Sequence, residues 1–168
     1  MKRRSFLACL IAFLFPRFSE AEVNIDKSNR TPNDRVGSCC WTCLDTMAKH
    51  LKLKVRFVPK YSGPAWPGTV DEALQSEGVK YERRYGTDGR KDLAFLKAKT
   101  EANLPVMVVL VWWPHCAQNP GTNHAVIVTG FEGGRVSMVD TNTPDKDWTW
   151  SEESFTKWWN GWAVCLIP

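Results

Sequence analysis

The segment from Asn123 to Phe131 constrains the fold of this 168-residue chain more than any other. His124 begins a run of small and β-branched apolar residues, a pattern that predicts a buried strand. Far upstream, adjacent cysteines at Cys39 and Cys40 begin a segment with helical periodicity. A thiol that opens a helix and a histidine that opens a strand can form one site only if the fold brings these two starts together.

The helix that follows the cysteines is predicted by the spacing of its apolar residues, which recur at i, i+3, i+4 and i+7. We expect it to span about 39–52, with Ser38 as the N-cap. Its apolar stripe consists of Leu44, Met47, Ala48 and Leu51.

The rest of the chain alternates short apolar runs with helical patterns and ends in a meander of strands. We expect strands at 55–58, 80–85, 106–113, 125–131, 135–140 and 162–167, and helices at 69–78, 92–103 and 151–159. Residues 114–122 read as a loop. Helices come first and strands dominate the second half, which predicts a single domain of the α+β class.

The first 21 residues have the composition of a secretory signal peptide. Lys2, Arg3 and Arg4 precede an apolar run, 6–15, and a cleavage-type tripeptide, 19–21. The apolar run has about half of the ~20 residues needed to cross a bilayer. We therefore expect an exported protein, periplasmic or extracellular, with no stable membrane insertion once the signal is removed.

Charge and composition after removal of the signal describe an ordinary globular domain. The formal net charge falls from +4 to +1, because residues 1–21 hold four basic residues and one acidic residue. No stripe of Lys and Arg remains that would favour nucleic acid as a partner. We expect 22–36 to be a polar lead-in segment without regular structure and 37–168 to be one packed domain.

Two neighbouring cysteines compete for the role of nucleophile. Five cysteines remain after residue 21, so an exported monomer keeps at least one free thiol, and nucleophilic catalysis would explain such a thiol. Cys40 projects onto the apolar face of the helix, whereas Cys39 points roughly 130° away from it at 100° per residue. This favours Cys39 as the accessible nucleophile and leaves Cys40 as the alternative.

The candidate base is chosen among three histidines. His50 lies roughly 15 Å along the same helix from either thiol at 1.5 Å per residue, which is too far. His115 lies in a loop, whereas His124 stands on a strand that fixes its direction. Asp140, which follows the next strand, can orient the imidazole, and Asn142 is the alternative orienter.

An acyl-transfer site also needs hydrogen-bond donors for the developing oxyanion. The backbone N–H of the nucleophile supplies one donor. Asn33, six residues before Cys39, is placed to supply a side-chain amide as the second.

These motifs carry a family resemblance over most of 33–168. Ser38-Cys39-Cys40-Trp41, Asn123-His124-Ala125-Val126 and the acid sixteen residues after the histidine resemble the papain-like cysteine peptidases. Within that family, the short length of the chain and the Asp at position 140 resemble most the bacterial double-glycine-leader-peptidase-like branch. The resemblance implies an α+β papain-like fold in which an N-terminal catalytic helix packs on a mainly antiparallel β-sheet. It also implies a Cys–His–Asp triad that hydrolyses peptide or isopeptide bonds in peptide or protein substrates without a cofactor or metal.

Two positions depart from the family pattern, and other functions stay open. The family normally has Gln where Asn33 stands, and the doubled cysteine allows either Cys39 or Cys40 to align with the nucleophile. A cell-wall amidopeptidase with the same triad and an inactive papain-like binding module are alternatives. Cys40-Trp41-Thr42-Cys43 is also a CxxC motif, so a redox protein is the rival from another class.

Overall fold

The computed structural model describes residues 22–85, 91–111 and 123–168. A single 3-10 turn, Lys27–Asn29, precedes the regular elements. In chain order these are α1 Cys39–His50, α2 Pro67–Ser76, β1 Lys80–Arg84, α3 Leu93–Glu101, β2 Val106–Leu110, β3 His124–Glu132, β4 Arg135–Val139, β5 Asp147–Ser151, α4 Glu152–Trp158 and β6 Trp159–Ile167.

The six strands form one antiparallel sheet in the order β1-β6-β2-β3-β4-β5. The last residue of β2, Leu110, pairs with the first residue of β3, His124. The α+β prediction is therefore confirmed, and His124 stands at the edge of the ladder where β3 begins.

The two faces of the sheet bury separate apolar clusters, because successive side chains of a strand point to opposite faces. On one face, Met107, Ala125 and Ile127 pack in the same cluster as the apolar stripe of α1. On the other, Val126 and Val128 pack in the cluster of α3 and α4. Each buried Leu or Met side chain stabilises this arrangement by about 1.5–3 kcal/mol relative to an exposed one. Helix α1 is thereby held against β3, the strand that carries His124.

Residues 22–36 contain no helix or strand beyond the 3-10 turn, as expected of the lead-in segment, but they pack against the domain that was expected to begin at residue 37. Val23 and Ile25 are buried, and the Val23 N–H donates to the carbonyl oxygen of Thr129 at 2.7 Å. The buried Arg30 donates to the carbonyl oxygen of Ile25 and forms an ion pair with Asp147. Alternate apolar residues in a short polar segment were enough to anchor it along β3.

Two predicted elements differ from those observed, and one observed strand was not predicted. Residues 55–58 are not a strand, because the Phe57 N–H donates to the carboxylate of Asp45 in α1 at 2.9 Å instead of to another strand. Helix α2 begins at Pro67, since Thr69 caps from inside the helix by accepting a hydrogen bond from the Trp66 N–H. Strand β5 was not predicted, although its two Trp residues alternate with polar ones. The end of the predicted strand 106–113 and the predicted loop 114–122 fall largely outside the described residues.

Within the described ranges, no helix has the length and apolar character needed to span a membrane.

Candidate active site

The start of α1 presents Cys39 and Cys40 as the first two helical residues, after Ser38 at the N-cap. The Ser38 side chain does not cap the helix. Its Oγ accepts a hydrogen bond from the Gly63 N–H at 3.1 Å and so ties the helix start to the loop before α2. Gly37 has a φ of +79°, and a Cβ there would lie 3.1 Å from Pro64. A side chain at this position would therefore strain the turn that aims Cys39.

Strand β3 begins next to the Cys39 thiol and so places His124 beside it. The Ala125 N–H donates to Cys39 Sγ at 3.5 Å, and the side chain of the preceding residue, His124, lies near enough to the thiol to lower its pKa. His124 itself is only 3% exposed. The first turn of α1 and the first residues of β3 thus form one site, as the two sequence motifs required.

Asp140 completes the group from the residue that follows β4. Its Oδ1 lies 2.8 Å from His124 Nε2, and the carboxylate is fully buried. The same oxygen accepts a hydrogen bond from the Asn142 N–H at 2.9 Å. Because Nε2 faces Asp140, Nδ1 is the ring nitrogen left for the Cys39 thiol. The structure therefore brings Cys39, His124 and Asp140 together in the order that sequence reasoning expected.

The electrostatics of this group favour a thiolate beside an imidazolium. A hydrogen bond from Cys40 and the hydrogen bond and charge of His124 outweigh burial and lower the pKa of Cys39 to about 4. Burial acts to lower the pKa of His124, but hydrogen bonds to Asp140 and Cys39 raise it to about 9. Between about pH 4 and pH 9 the proton therefore resides on His124, and the thiol is ionised.

Cys40 and Cys43 have the opposite character. Both are buried, and the pKa of each is raised well above its ordinary value, for Cys40 by its hydrogen bond to Cys39 and by burial and for Cys43 by burial. Cys40 thus stays protonated beside Cys39, while the Cys43 thiol donates to the carbonyl oxygen of Ala125 at 3.5 Å. The helical-wheel prediction that Cys40 is buried and Cys39 more accessible agrees with the structure.

This pattern disfavours the redox interpretation. A redox-active CxxC motif needs an accessible thiol with a lowered pKa. Here the thiol with the lowered pKa is Cys39, which lies outside the motif, and Cys39, Cys40, Cys43 and Cys165 are free. Among the described residues, no group of three or more His, Cys, Asp and Glu side chains is arranged to hold a metal ion.

Asn33 contacts the residues that directly follow Asp140. Its N–H donates to the carbonyl oxygen of Thr141 at 2.8 Å, and its Nδ2 donates to Asn142 Oδ1 at 2.7 Å. Its buried Oδ1 has no hydrogen-bond partner within the described chain. If the side-chain amides of Asn33 and Asn142 are both rotated by 180°, the hydrogen bond between them is kept with its direction reversed. An N–H of Asn33 then points toward the position that its Oδ1 occupies. Asn142 contacts Asp140 through its backbone and is placed as a support for that carboxylate.

One supporting contact had no signal in the sequence. Thr42 Oγ1 of α1 lies 2.8 Å from Thr141 Oγ1, next to Asp140. This buried hydrogen bond joins α1 directly to the segment that carries Asp140. Two threonines so far apart in sequence share no local pattern that would pair them. His115, the histidine of the predicted loop, lies outside the described residues.

The helix, sheet and site define a papain-like fold of the kind found in C39-type peptidase domains. The peptidase domain of Streptococcus ComA, a bifunctional ABC transporter of a quorum-sensing pathway, superposes with a TM-score of 0.60 at 20% identity, over 82% of this chain and 96% of that domain. A double-glycine-motif protease from an AMS/PCAT transporter, solved with its leader peptide, gives 0.63 at 17% identity over 89% and 96%. A Bacillus anthracis protein named as a C39-like peptidase gives 0.66 at 14% identity over 89% and 98%.

The likeness is visible in structure alone. No protein-family model matches the sequence, and no curated protein matches it. The papain-like fold expected from the sequence motifs is confirmed by the structural neighbours.

Proposed function

We propose that this protein is an exported papain-like cysteine peptidase that hydrolyses peptide or isopeptide bonds with Cys39 as nucleophile, His124 as acid and base, and Asp140 as orienter. The observation that carries this proposal is that Cys39 Sγ contacts the Ala125 N–H at 3.5 Å at the start of β3, while the neighbouring His124 ring lies 2.8 Å from the buried Asp140 Oδ1. Residues with a purely structural role seldom place a helix-terminal thiol of low pKa on one side of a histidine and a buried carboxylate on the other.

The reaction needs no group beyond these side chains and water. The Cys39 thiolate attacks the substrate carbonyl carbon, and the π electrons of the carbonyl move to its oxygen. When the carbonyl re-forms, the C–N bond breaks, and the His124 imidazolium gives its proton to the departing amine. The neutral imidazole then takes a proton from water, whose oxygen attacks the thioester. Release of the carboxylic acid restores the thiolate and the imidazolium.

The oxyanion formed in both steps lies at the start of α1. The N–H of Cys39 is among the amides of the first helical turn that have no partner within the helix. Asn33 is proposed as the second donor, since its amide stands beside the Asp140 segment and has one buried atom free of partners within the described chain.

Export is proposed on the composition of the first 21 residues, where a basic start is followed by a short apolar run. Expression in a bacterial host, followed by N-terminal mass spectrometry of the extracellular and periplasmic fractions, tests this part. A product that begins near residue 22 is expected. Accumulation of the full-length chain in the cytoplasm would refute export without bearing on the chemistry.

The catalytic proposal is tested by labelling and by cleavage. Iodoacetamide followed by tandem mass spectrometry should modify Cys39 before any other thiol, and Cys39→Ala should lose both labelling and cleavage of a peptide library. His124→Ala should slow labelling at pH 6, since the imidazolium no longer stabilises the thiolate. Labelling at Cys39 that is indifferent to His124→Ala would overturn the assignment of the base.

Labelling and cleavage, together with an assay on peptidoglycan, separate the alternative functions. Release of peptides from purified peptidoglycan, without cleavage of the library, would favour the cell-wall amidopeptidase. Rapid labelling without turnover of either substrate would favour the inactive binding module.

A further inference from the structure

We propose that Arg30 is a positioning residue of the active site, which fixes the orienting carboxylate and the amide of Asn33 by holding the chain next to each of them. This proposal rests on the proposed peptidase function and adds a residue of the lead-in segment to the same site. The side-chain hydrogen bonds of Arg30 go to the lead-in segment itself and to the Asp140 turn, the segment 140–147 that connects β4 to β5.

The guanidinium of Arg30 is buried and has a partner at each nitrogen. Its side chain is 5% exposed, whereas arginine is rarely buried unless it is paired. Nε donates to the carbonyl oxygen of Ile25 at 3.1 Å, Nη1 to that of Pro144 at 2.9 Å and Nη2 to Asp147 Oδ1 at 2.7 Å. Burial of a charge is costly unless hydrogen bonds replace its hydration. The group therefore holds the lead-in segment and the far end of the Asp140 turn in one fixed arrangement.

The near end of the Asp140 turn carries the orienting carboxylate, and hydrogen bonds connect the two ends. The Asn142 N–H donates to Asp140 Oδ1 at 2.9 Å, and the Thr143 N–H donates to the carbonyl oxygen of Asp140 at 3.0 Å. The Lys146 N–H donates in turn to the carbonyl oxygen of Thr143 at 2.9 Å. These contacts span only two or three residues, so they shape the turn without fixing it relative to the rest of the domain. Arg30 supplies two hydrogen bonds to its far end from outside.

The chain that follows Arg30 is fixed between the same turn and α1. The Thr31 N–H donates to Thr46 Oγ1 at 2.9 Å, and Thr31 Oγ1 donates to the buried carboxylate of Asp45 at 2.7 Å. Asn33, three residues after Arg30, is hydrogen-bonded to the turn through its N–H and its side chain. The proposed oxyanion donor and the orienting carboxylate therefore depend on one junction, at which Arg30 joins the lead-in segment to the turn.

The shape of the guanidinium decides which substitutions keep this junction. Its planar fork directs N–H groups toward three acceptors at once, whereas the ammonium of lysine is a single point charge. The side chain of Asp147 is 64% exposed, so its ion pair with Arg30 is screened by water and contributes little by itself. The hydrogen bonds to the carbonyl oxygens of Ile25 and Pro144 therefore carry most of the positioning.

Loss of the junction should affect turnover more than substrate binding. When Asp140 is displaced relative to His124, the ring is no longer held in the orientation in which it transfers protons, and a misplacement of about 1 Å can cost about 10²-fold in rate. We therefore expect Arg30→Ala to lower kcat by about 10- to 100-fold with little change in KM. Arg30→Lys, which keeps the charge and one donor group, should lose less.

The test compares four variants in a turnover assay and in a measurement that needs no turnover. kcat and KM are measured on a fluorogenic peptide that the unaltered protein cleaves, and the pKa of His124 is measured by NMR of its ring. The contact with Asp140 helps to raise the pKa of His124 to about 9, so Arg30→Ala should lower this pKa and Arg30→Lys should lower it less. Asp147→Asn should reduce kcat less than Arg30→Ala does.

The fourth variant, Arg83→Ala, is the matched control. Arg83 also forms an ion pair, with Asp71, but it lies in β1, at the opposite edge of the sheet from β5. Both kcat and the pKa of His124 should be unchanged in this variant. Urea titration gives the folded fraction of each protein, and if Arg30→Ala does not fold, Arg30→Lys carries the comparison.

The outcomes separate this proposal from the proposed function. Arg30 variants that keep kcat, or that lose it only in proportion to the folded fraction with the pKa of His124 unchanged, would overturn the positioning role and leave the peptidase assignment intact. Equal losses in Asp147→Asn and Arg30→Ala would overturn the assignment of the effect to the carbonyl contacts. If the unaltered protein cleaves no peptide, the peptidase function fails, and a lowered pKa of His124 in Arg30→Ala still supports the positioning role.

Discussion

The doubled cysteine makes a specific prediction, because the Cys40 hydrogen bond is the largest cause of the low pKa of Cys39. Cys40→Ala removes this influence on the Cys39 thiolate but leaves His124 in place. A hydrogen bond to a charged group contributes about 2 kcal/mol, and 1.36 kcal/mol corresponds to one pH unit. We therefore expect the pKa of Cys39 to rise from about 4 to about 5.5 in Cys40→Ala.

The effect should appear only at acidic pH. At pH 5 the thiolate fraction falls from about 0.9 to about 0.25, so the rate of alkylation by iodoacetamide should drop about fourfold. At pH 7.5 both forms of the protein are fully ionised at Cys39, and the two rates should coincide. The assay is the alkylation rate between pH 3 and pH 9, with tandem mass spectrometry to place the label on Cys39.

Two further variants make the result interpretable. Cys40→Ser keeps a donor of similar size, so its profile should lie between those of Cys40→Ala and the unaltered protein. Cys165→Ala removes a buried thiol of the opposite sheet face and should leave the profile unchanged. If the Cys40→Ala profile superposes on that of the unaltered protein at pH 5, Cys40 does not tune the nucleophile and the reasoning is refuted.

Three more predictions concern the surroundings of the site. Asp140→Asn should lower the pKa of His124 from about 9, because burial then outweighs the remaining hydrogen bonds; kcat/KM should fall by about 10²–10⁴, and the alkaline limb of its pH profile, where the imidazolium is lost, should move to lower pH. An unmoved alkaline limb would refute the role of Asp140. Asn33→Ala should lower kcat about 10²-fold with little change in KM, and Asn33→Gln should restore part of it; a change in KM alone would argue against an oxyanion donor. Asp45→Ala should lower the free energy of unfolding by about 3–5 kcal/mol in urea titrations, because it leaves Thr31 Oγ1 and the Phe57 N–H without their buried acceptor; a loss below 1 kcal/mol would contradict this.

Much of the candidate site was predictable because its signals are local. The period of the apolar stripe placed Cys40 on the buried face of α1 and left Cys39 more accessible, and both agree with the structure. The strand pattern after His124 placed it at the first residue of β3. Only residues within one or two turns or strands enter such arguments, so they need no knowledge of the fold.

Other features depend on pairings that no local pattern encodes. The strand that was predicted at 55–58 is absent because Phe57 donates to Asp45, a contact between segments that are adjacent only after α1 has packed. The lead-in segment is bound along β3 because Val23 and Ile25 fill space on a sheet face that exists only in the folded chain. Their burial could not be read from a segment whose composition is mostly polar.

The sequence by itself determined the elements and the chemistry that each one carries: a helix that begins with two thiols, a strand that begins with an imidazole, and a carboxylate after the next strand. The tertiary structure decided how close these groups lie to one another and therefore how each changes the pKa of its neighbour. Packing of α1 against β3 places the thiol at the ring, which lowers the pKa of Cys39 and raises that of His124. The loop from Gly63 to Trp66, fixed to the start of α1, lines a cleft beside Cys39. The reason is that pKa values and cavities depend on which atoms are close in space, and proximity between distant segments is set by the sum of the packing contacts.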